Sequence, residues 1–583
     1  MKKDLIFISA LLMCFGISNA QLTYQQITSG LNSVSFEGGD TEFEAGDIDN
    51  DGDLDLVSIG DHGSPNVNVT EAGIMVWKNN GSGTSWSLSK YGNLGYGGVA
   101  LGDVNNDGKL DVATGMHHNY ATSGLGSQMM EVALGNGTGS SWTQSSNGLL
   151  GNGIWGMFAP DFGDVNNDGL LDIVCTPFSY DDGFRVYKNS NNGSNWISSQ
   201  AMSTGNIINY NCKLGDFNND GNIDAMIACQ AGSVYKGNGQ GTFSSMKTGL
   251  PSDWTMKFAI GDLDNNGSKD VAIVSSGAIT TYKYVGSSWV TFGNANLPAV
   301  NAKNVALADM DMDGFCDLIA FTSTGITIYK GDGAGNWATS GTIPLTIAYV
   351  RGLSIADFDR DGYNDIAYFG TASSNNSLKI FLHTVSNLSL NILPDFPKGM
   401  ECFMPNSVQF IKWQASVPSG PNATVTIELS SGGANGPWAA VASNIPNNGI
   451  YQWALPNIVS NNCFLKFTIT QSANSQSVIM SNAFGIGNCT PPVTGIDESL
   501  DDFEFEIYPN PASSSVSVIA SAPNQVINIY SVLGEKVGHW QLEVGNNTMD
   551  ISNLLSGSDR DRIYFCEMKN EKSSVIQKLV VVK

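Results

Sequence analysis

Seven short acidic loops recur along this chain, and no other feature restricts its fold as tightly. The first is 47-DIDNDGDLD-55, with Asp47, Asp49 and Asp51 at positions 1, 3 and 5, Gly52 at position 6 and Asp55 at position 9. Like charges this close repel, so something must neutralise them. Oxygens on alternate residues of a tight turn converge on one point, and a glycine at position 6 tolerates the positive φ of the sharp turn. Position 7 can then offer its backbone carbonyl. This is the donor set of a hard cation such as Ca2+, which takes about six to eight oxygens in flexible geometry.

Asp, Asn and Gly also fill ordinary surface turns, so one copy alone means little. Six more follow. They present Asp103, Asn105, Asp107 and Asp111; Asp164, Asn166, Asp168 and Asp172; Asp216, Asn218, Asp220 and Asp224; Asp262, Asp264, Asn266 and Asp270; Asp309, Asp311, Asp313 and Asp317; and Asp357, Asp359, Asp361 and Asp365. Successive copies start 56, 61, 52, 46, 47 and 48 residues apart. Chance turns would not keep this pattern, and up to seven Ca2+ sites are expected.

The EF-hand is a poor fit, because it needs a bidentate Glu at position 12 between helices. Position 12 of the first loop is Ser58, and the loops run into short, partly β-branched stretches such as 56-LVSIG-60 and 271-VAIV-274, which read as buried strands. A third strand follows and ends in a glycine-rich turn, as in 326-ITIYKGDGAG-335. A fourth opens on an aromatic residue, as in 86-WSLS-89 or 196-WISS-199. Four short strands per period describe a propeller blade, and seven periods describe seven blades. The seventh unit stops after 378-LKIFLH-383, whereas 22-LTYQQITSGL-31 matches the missing fourth strand, so the N-terminal segment is predicted to close the ring.

These units resemble FG-GAP/VCBS repeats, the calcium-loop propeller also found in integrin α-chains. The resemblance spans residues 21–385. It implies fold and metal, not a particular activity.

Residues 1–20 read as a signal peptide, with Lys2 and Lys3, an apolar run from Leu5 to Ile17 and 18-SNA-20 as the cleavage site. No later run is long and apolar enough for a transmembrane helix. The net charge is −26, and the seven loops contain 25 of the 54 acidic residues, so the acidity is largely a metal-site signature. It argues against nucleic acid or an anionic membrane surface as partner. Export permits disulfides. Cys212 and Cys229 could face each other across the fourth loop, and Cys402, Cys463 and Cys489 form a second group, with buried free thiols as the alternative.

The period breaks after the seventh unit. Segments such as 407-SVQFIKWQAS-416, 424-TVTIELS-430 and 464-FLKFTIT-470, with Gly/Asn/Pro turns between strands, suggest a second domain over 386–488, a β-sandwich that looks Ig-like or fibronectin-like. Trp413 reads as a core residue of it. A linker, 489–502, leads to residues 503–583, where 507-IYPNPASSSVSV-518 and the lysine-ended strand 575-VIQKLVVVK-583 resemble the C-terminal sorting domain of type IX secretion substrates. The chain departs from that family at 554-LLSGSDRDRIYF-565, where a compact L-x-x-G-x-Y turn is usual. The resemblance implies recognition by the type IX machinery and a final location at the cell surface or in the medium. The expected fold class is all-β throughout.

Function on a propeller sits on one face. If the acidic loops join strands one and two on one side, the loops joining strands two and three lie on the other. There, blades 1 to 3 carry long segments with His62, His117, His118, Tyr120, Tyr180, Asp181, Asp182 and Arg185, and Trp155 is close in sequence. Long loops on a rigid scaffold are where binding residues gather. One reading is a recognition or adhesion face for glycan or protein. A second is a polysaccharide lyase using His62, His117, His118, Tyr180 and Arg185 to neutralise a uronate and abstract a proton. A third is solvated loops whose histidines bond locally. No nucleophile elbow, H-E-x-x-H or phosphate-binding loop motif occurs.

Overall fold

The structure is a computed structural model. It describes residues 22–31, 43–60, 73–95, 97–116, 121–151, 156–177, 184–202, 211–227, 233–251, 257–293, 297, 300–371, 377–385, 388–418, 423–487, 507–508, 512–520, 525–531, 536–552, 562–569 and 574–581. The described residues are strands, turns and connections, without an α-helix. Among the described residues, no helix is long and apolar enough to cross a membrane. The chain divides into two compact units, Met1–Pro491 and Pro492–Lys583.

The larger unit begins with seven four-stranded antiparallel sheets among the described residues. In the first, Phe43–Gly46, Asp55–Ile59, Ile74–Asn79 and Trp86–Tyr91 pair in chain order from the inner edge outward. The second strand is buried at every position. Leu56 packs toward the seventh sheet with Phe369, while Val57 and Ile59 pack toward the second with Val112. Both faces are covered, which is why such strands read as continuous apolar runs. Five further sheets over 99–144, 157–202, 212–245, 257–291 and 302–344 repeat the order. The first strands line the centre, where Lys213 of the fourth sheet meets Glu44 of the first at 2.7 Å.

The seventh sheet is completed from the other end of the ring. Tyr24–Ile27 pairs with Ser377–His383, Tyr24 opposite His383 and Ile27 opposite Ile380. The expectation drawn from the incomplete seventh unit is therefore met. The next residues repeat a joint used elsewhere: the turn after a fourth strand docks on the aromatic of the next sheet. Ser29 O accepts from Trp86 N at 3.1 Å, as Asn147 O and Thr248 O accept from Trp196 N and Trp289 N, both at 2.8 Å. Gly30, at φ +76°, makes this approach feasible, since a Cβ there would lie 1.6 Å from Trp86 O.

Beyond the ring, Asn391–Phe396, Val408–Ser416 and Ile450–Ala454 form one sheet. Thr424–Ser430, Ala439–Pro446, Ser460–Gln471 and shorter strands form a second. Ile411, Trp413, Val425, Ile427, Leu465 and Phe467 fill the space between them as a sandwich core. Trp413 is 3% exposed, and its Nε1 donates to Asn447 Oδ1 at 2.8 Å, so it is a core residue. Cys402 is disulfide-bonded, whereas Cys463 is a buried free thiol. Cys229 and Cys489 lie outside the described residues. This sandwich sits against the acidic-loop end of the ring, with Gln452 bonded to Asp103 and Gln414 to Asp309.

The smaller unit is built from a sheet of Ile507–Tyr508, Ser515–Ala520 and Gly545–Asp550 and another of Val526–Ser531, Lys536–Gln541, Arg562–Lys569 and Ser574–Val581. Val516, Ile527, Ile529, Met549 and Leu579 are in its core. The segments expected to be a signal peptide (1–20) and a linker (489–502), and most of the departing 554–565 segment, lie outside the described residues.

The N-terminal joint gives a direct test. Gly30→Ala should cost on the order of 2 kcal/mol through forced φ and the Trp86 contact, and deleting residues 22–31 should cripple folding. Melting temperatures unchanged by both would contradict the ring closure.

Candidate metal centres

All seven acidic loops adopt one backbone. Position 4 is left-handed in every copy: Asn50, Asn106, Asn167, Asn219, Asn265, Met312 and Arg360 have φ between 53° and 61°. The glycine at position 6 is also at positive φ, from 80° at Gly108 to 95° at Gly362. Asn at position 4 in five copies suits this conformation. The recurrent Asn at position 4 is the sequence signal of this turn.

The carboxylates divide the work. At position 1, Asp357 Oδ1 accepts from Asp361 N at 3.1 Å and its Oδ2 from Gly362 N at 2.8 Å. The other six position-1 aspartates accept the same pair of amides, as Asp103 does from Asp107 and Gly108. At position 9 the side chain is buried and ties the loop to the sheet. Asp365 Oδ2 accepts from Phe358 N at 2.8 Å and Oδ1 from His383 N, on the third strand, at 2.7 Å. Asp111 bridges Val104 and Gly135 in the same way, and Asp317 bridges Met310 and Gly331. Position 9 is therefore structural in its own right, a role the sequence reading did not give it.

Three carboxylates converge within 4.8 Å in four described loops: Asp47, Asp49 and Asp51; Asp262, Asp264 and Asp270; Asp309, Asp311 and Asp317; and Asp357, Asp359 and Asp361. Loops two to four place Asn at position 3, so their oxygens include a neutral amide. The fit to a hard cation rests on buried oxygens without a hydrogen-bond donor: Oδ1 of Asp49, Asp264, Asp270 and Asp311. Leaving such atoms unpaired is costly, and a cation satisfies several at once. Lysines of the third strand reach the loop edge, Lys78 to Asp49 at 3.2 Å, Lys283 to Asp264 at 3.0 Å and Lys236 to Asp220 at 2.7 Å. Lys330 contacts both Asp311 and Asp313. The recurring Trp-Lys or Tyr-Lys pair before the glycine-rich turn was their sequence signal.

Burial, reinforced by neighbouring carboxylates, pushes these acids up. Asp47, Asp164 and Asp309 rise to about 6, and Asp55 and Asp317 to about 8. Asp365 is held well above the usual carboxylate range for the same reasons. Without a cation the folded loops therefore bind protons more readily than the unfolded chain.

Of the candidate recognition residues, His62, His117, His118, Tyr120, Trp155, Tyr180, Asp181 and Asp182 lie outside the described residues. Arg185 is half-buried near the start of Phe184–Ser190 and pairs with Cys175 of the neighbouring strand. What is described is the anchor of the second blade's loop. Glu131 Oε1, buried, accepts from the backbone N–H groups of Gly126, Ser127 and Gln128 at 3.0–3.1 Å, and its carboxylate also accepts from Gln144 and Ser146.

Comparison with known families matches FG-GAP-like repeats at 47–114, 164–227 and 309–368, stretches that contain six of the seven loops. The fifth loop, at 262–270, lies between them and has the same backbone conformation. A secretion system C-terminal sorting domain matches residues 506–582. The chain thus carries FG-GAP-like repeats and a sorting domain that indicates export by type IX secretion to the cell surface or extracellular space. No curated protein matches. Among solved structures, an Agrocybe aegerita lectin described as specifically recognising non-reducing terminal N-acetylglucosamine is 20% identical, covering 52% of this chain and 80% of its own at TM-score 0.36. A Lactobacillus plantarum protein is 14% identical, with 55% and 92% covered at TM-score 0.36. The polysaccharide lyase Uly1 is 10% identical, with 62% and 93% covered at TM-score 0.34.

Two outcomes follow from the loop chemistry. A carboxylate raised in the folded state favours folding at low pH and loses that contribution as pH rises through its folded pKa. In chelator, the melting temperature should fall between about pH 5 and pH 8, and saturating Ca2+ should abolish that fall; equal slopes with and without the ion would contradict the assignment. Separately, Asp365→Asn should cost about 2–3 kcal/mol even in chelator, because the amide nitrogen cannot accept and leaves one of two buried backbone N–H groups unpaired. Asp359→Asn should leave chelated stability within about 0.5 kcal/mol and reduce the Ca2+-induced rise in melting temperature. Denaturant titrations of the two variants separate these roles.

Proposed function

We propose that this protein is an exported, calcium-stabilised seven-bladed propeller that recognises glycan or protein ligands at the cell surface, with an Ig-like module after the ring. In each loop, the side chains at positions 1, 3, 5 and 9 are the ligands proposed for Ca2+. The ion supplies fixed positive charge that joins the carboxylates of one loop. The chain's own residues do the rest: position 1 shapes the turn, position 9 ties it to the third strand in six of the seven blades, and third-strand lysines offset part of the negative charge.

One observation carries the recognition reading. The acidic-loop end is occupied by the sandwich, through Gln452, Gln414, Val408 and Asn448. That directs a ligand to the other end, where the sequence puts the loops joining strands two and three, the longest of them in the first three blades. Glu131 supports the same reading, because a buried carboxylate spent on holding a loop is how a scaffold presents a surface of defined shape. His117 and His118 precede that anchored turn in the same loop.

The test is a panel of acidic and neutral polysaccharides offered to the calcium-loaded mature chain, following retention and unsaturated-product absorbance together. Retention on at least one polymer, lost in the His117→Ala/His118→Ala variant, is the expected result. Absorbance that rises and is lost in that variant would replace recognition by lyase chemistry. Neither signal would refute a glycan ligand and leave a protein one.

A further inference from the structure

The loops proposed to hold calcium also carry the sandwich. Gln452 reads both backbone groups of Asp103, accepting from its N–H at 3.0 Å and donating to its carbonyl at 2.9 Å. Gln414 Nε2 donates to the Asp309 carbonyl at 2.7 Å. Two bonds fall on carboxylate oxygens: Val408 N donates to Asp164 Oδ2 at 2.9 Å, and Asn448 Nδ2 to Asp47 Oδ2 at 3.4 Å. All four loop residues stand at position 1.

The remaining loops are touched as well. Asn219, at position 4 of the fourth loop, donates to Met400 O at 2.7 Å and accepts from Cys402 N at 2.8 Å. In the fifth and seventh loops the contact is made over the glycine. A Cβ on Gly267 would lie 2.6 Å from Glu401 N, and one on Gly362 2.7 Å from Ser416 N. These glycines therefore serve the turn and leave room for the sandwich. Lys398 and Lys412 of the sandwich, together with its Asp395 and Glu401, line a cavity of about 470 Å³ against Asp262 and Asp309, and Lys398 Nζ donates to Gly314 O at 3.0 Å.

We propose that sandwich docking and cation binding are thermodynamically linked. The sandwich fixes the orientation of position-1 aspartates, so it tightens cation binding, and a loaded ring holds the sandwich more firmly. Linkage requires the two effects to be equal in free energy. The inference rests on the calcium reading above and adds a role for Gln414, Gln452 and Val408, none of which is a cation ligand.

The experiment uses the mature full chain and its Gln414→Ala/Gln452→Ala variant, with Ca2+ as the probe. Calorimetric titration should show the variant binding Ca2+ more weakly, by about fivefold for each lost hydrogen bond. Hydrogen exchange should show the Val408 and Cys402 amides losing protection when Ca2+ is chelated, while Ile427 and Phe467, paired inside the sandwich, stay protected. That internal pair also reports whether the variant remains folded. A wild-type calcium curve in the folded variant, with interface amides indifferent to chelator, would overturn the linkage and leave calcium binding standing. A chain that takes up no Ca2+ at all would overturn both.

Discussion

The aspartate at position 9 is the interaction on which each blade depends. It lies at the start of the second strand, buried, and takes one N–H from the loop before it and, in six of the seven blades, one from the third strand. A carboxylate accepting two backbone amides in a dry site fixes loop, strand and strand in one geometry. It also places a negative charge where water cannot neutralise it. The rest of the loop then has to supply positive charge or protons, and the converging carboxylates at positions 1, 3 and 5 compound the demand. Fold and metal chemistry are thus two readings of one carboxylate.

Much of this was legible because it repeats. Asp at 1 and 9 with Gly at 6, seven times at blade-length spacing, fixes strand order before any residue is placed. The closing role of 22-LTYQQITSGL-31 was readable from Gly30, since the same glycine recurs in the other units as Gly148 and Gly249. Trp413 was readable as core because it stands within an apolar strand. The seating of the sandwich was not readable. Gln414 and Gln452 look like ordinary polar positions on strands, and their partners are backbone groups hundreds of residues away, which no local pattern encodes. Glu131 escaped for a related reason: a lone Glu in 131-EVALG-135 gives no hint that three consecutive N–H groups wait for it. The histidines expected in the loops of the first two blades stand out by composition alone, and composition does not distinguish a binding surface from solvated loops.

The exported location fits the electrostatics. The net charge is −26, and the seven loops hold 25 of the 54 acidic residues, so the charge is concentrated at one end of the blades. The sandwich adds ammonium groups at the loop face, and the third strands add Lys78, Lys236, Lys283 and Lys330 at the loop edges. Part of the compensation is therefore built into the fold as fixed side chains.

The strand Tyr24–Ile27 has a consequence for how the ring comes together. Its partners lie at the far end of the ring, and the Thr23–Thr384 contact joins residues 361 apart in sequence. During synthesis the first segment to appear must wait for nearly the last blade. Until then, the third strand of the seventh sheet lacks its outer neighbour and Trp86 N lacks the Ser29 carbonyl. Closure by so distant a pair is slow to find, because chain entropy must be lost before any contact returns it. Once made, it behaves as a clasp: four residues hold shut a circle of seven sheets, and every blade shares in the stability of that one seam.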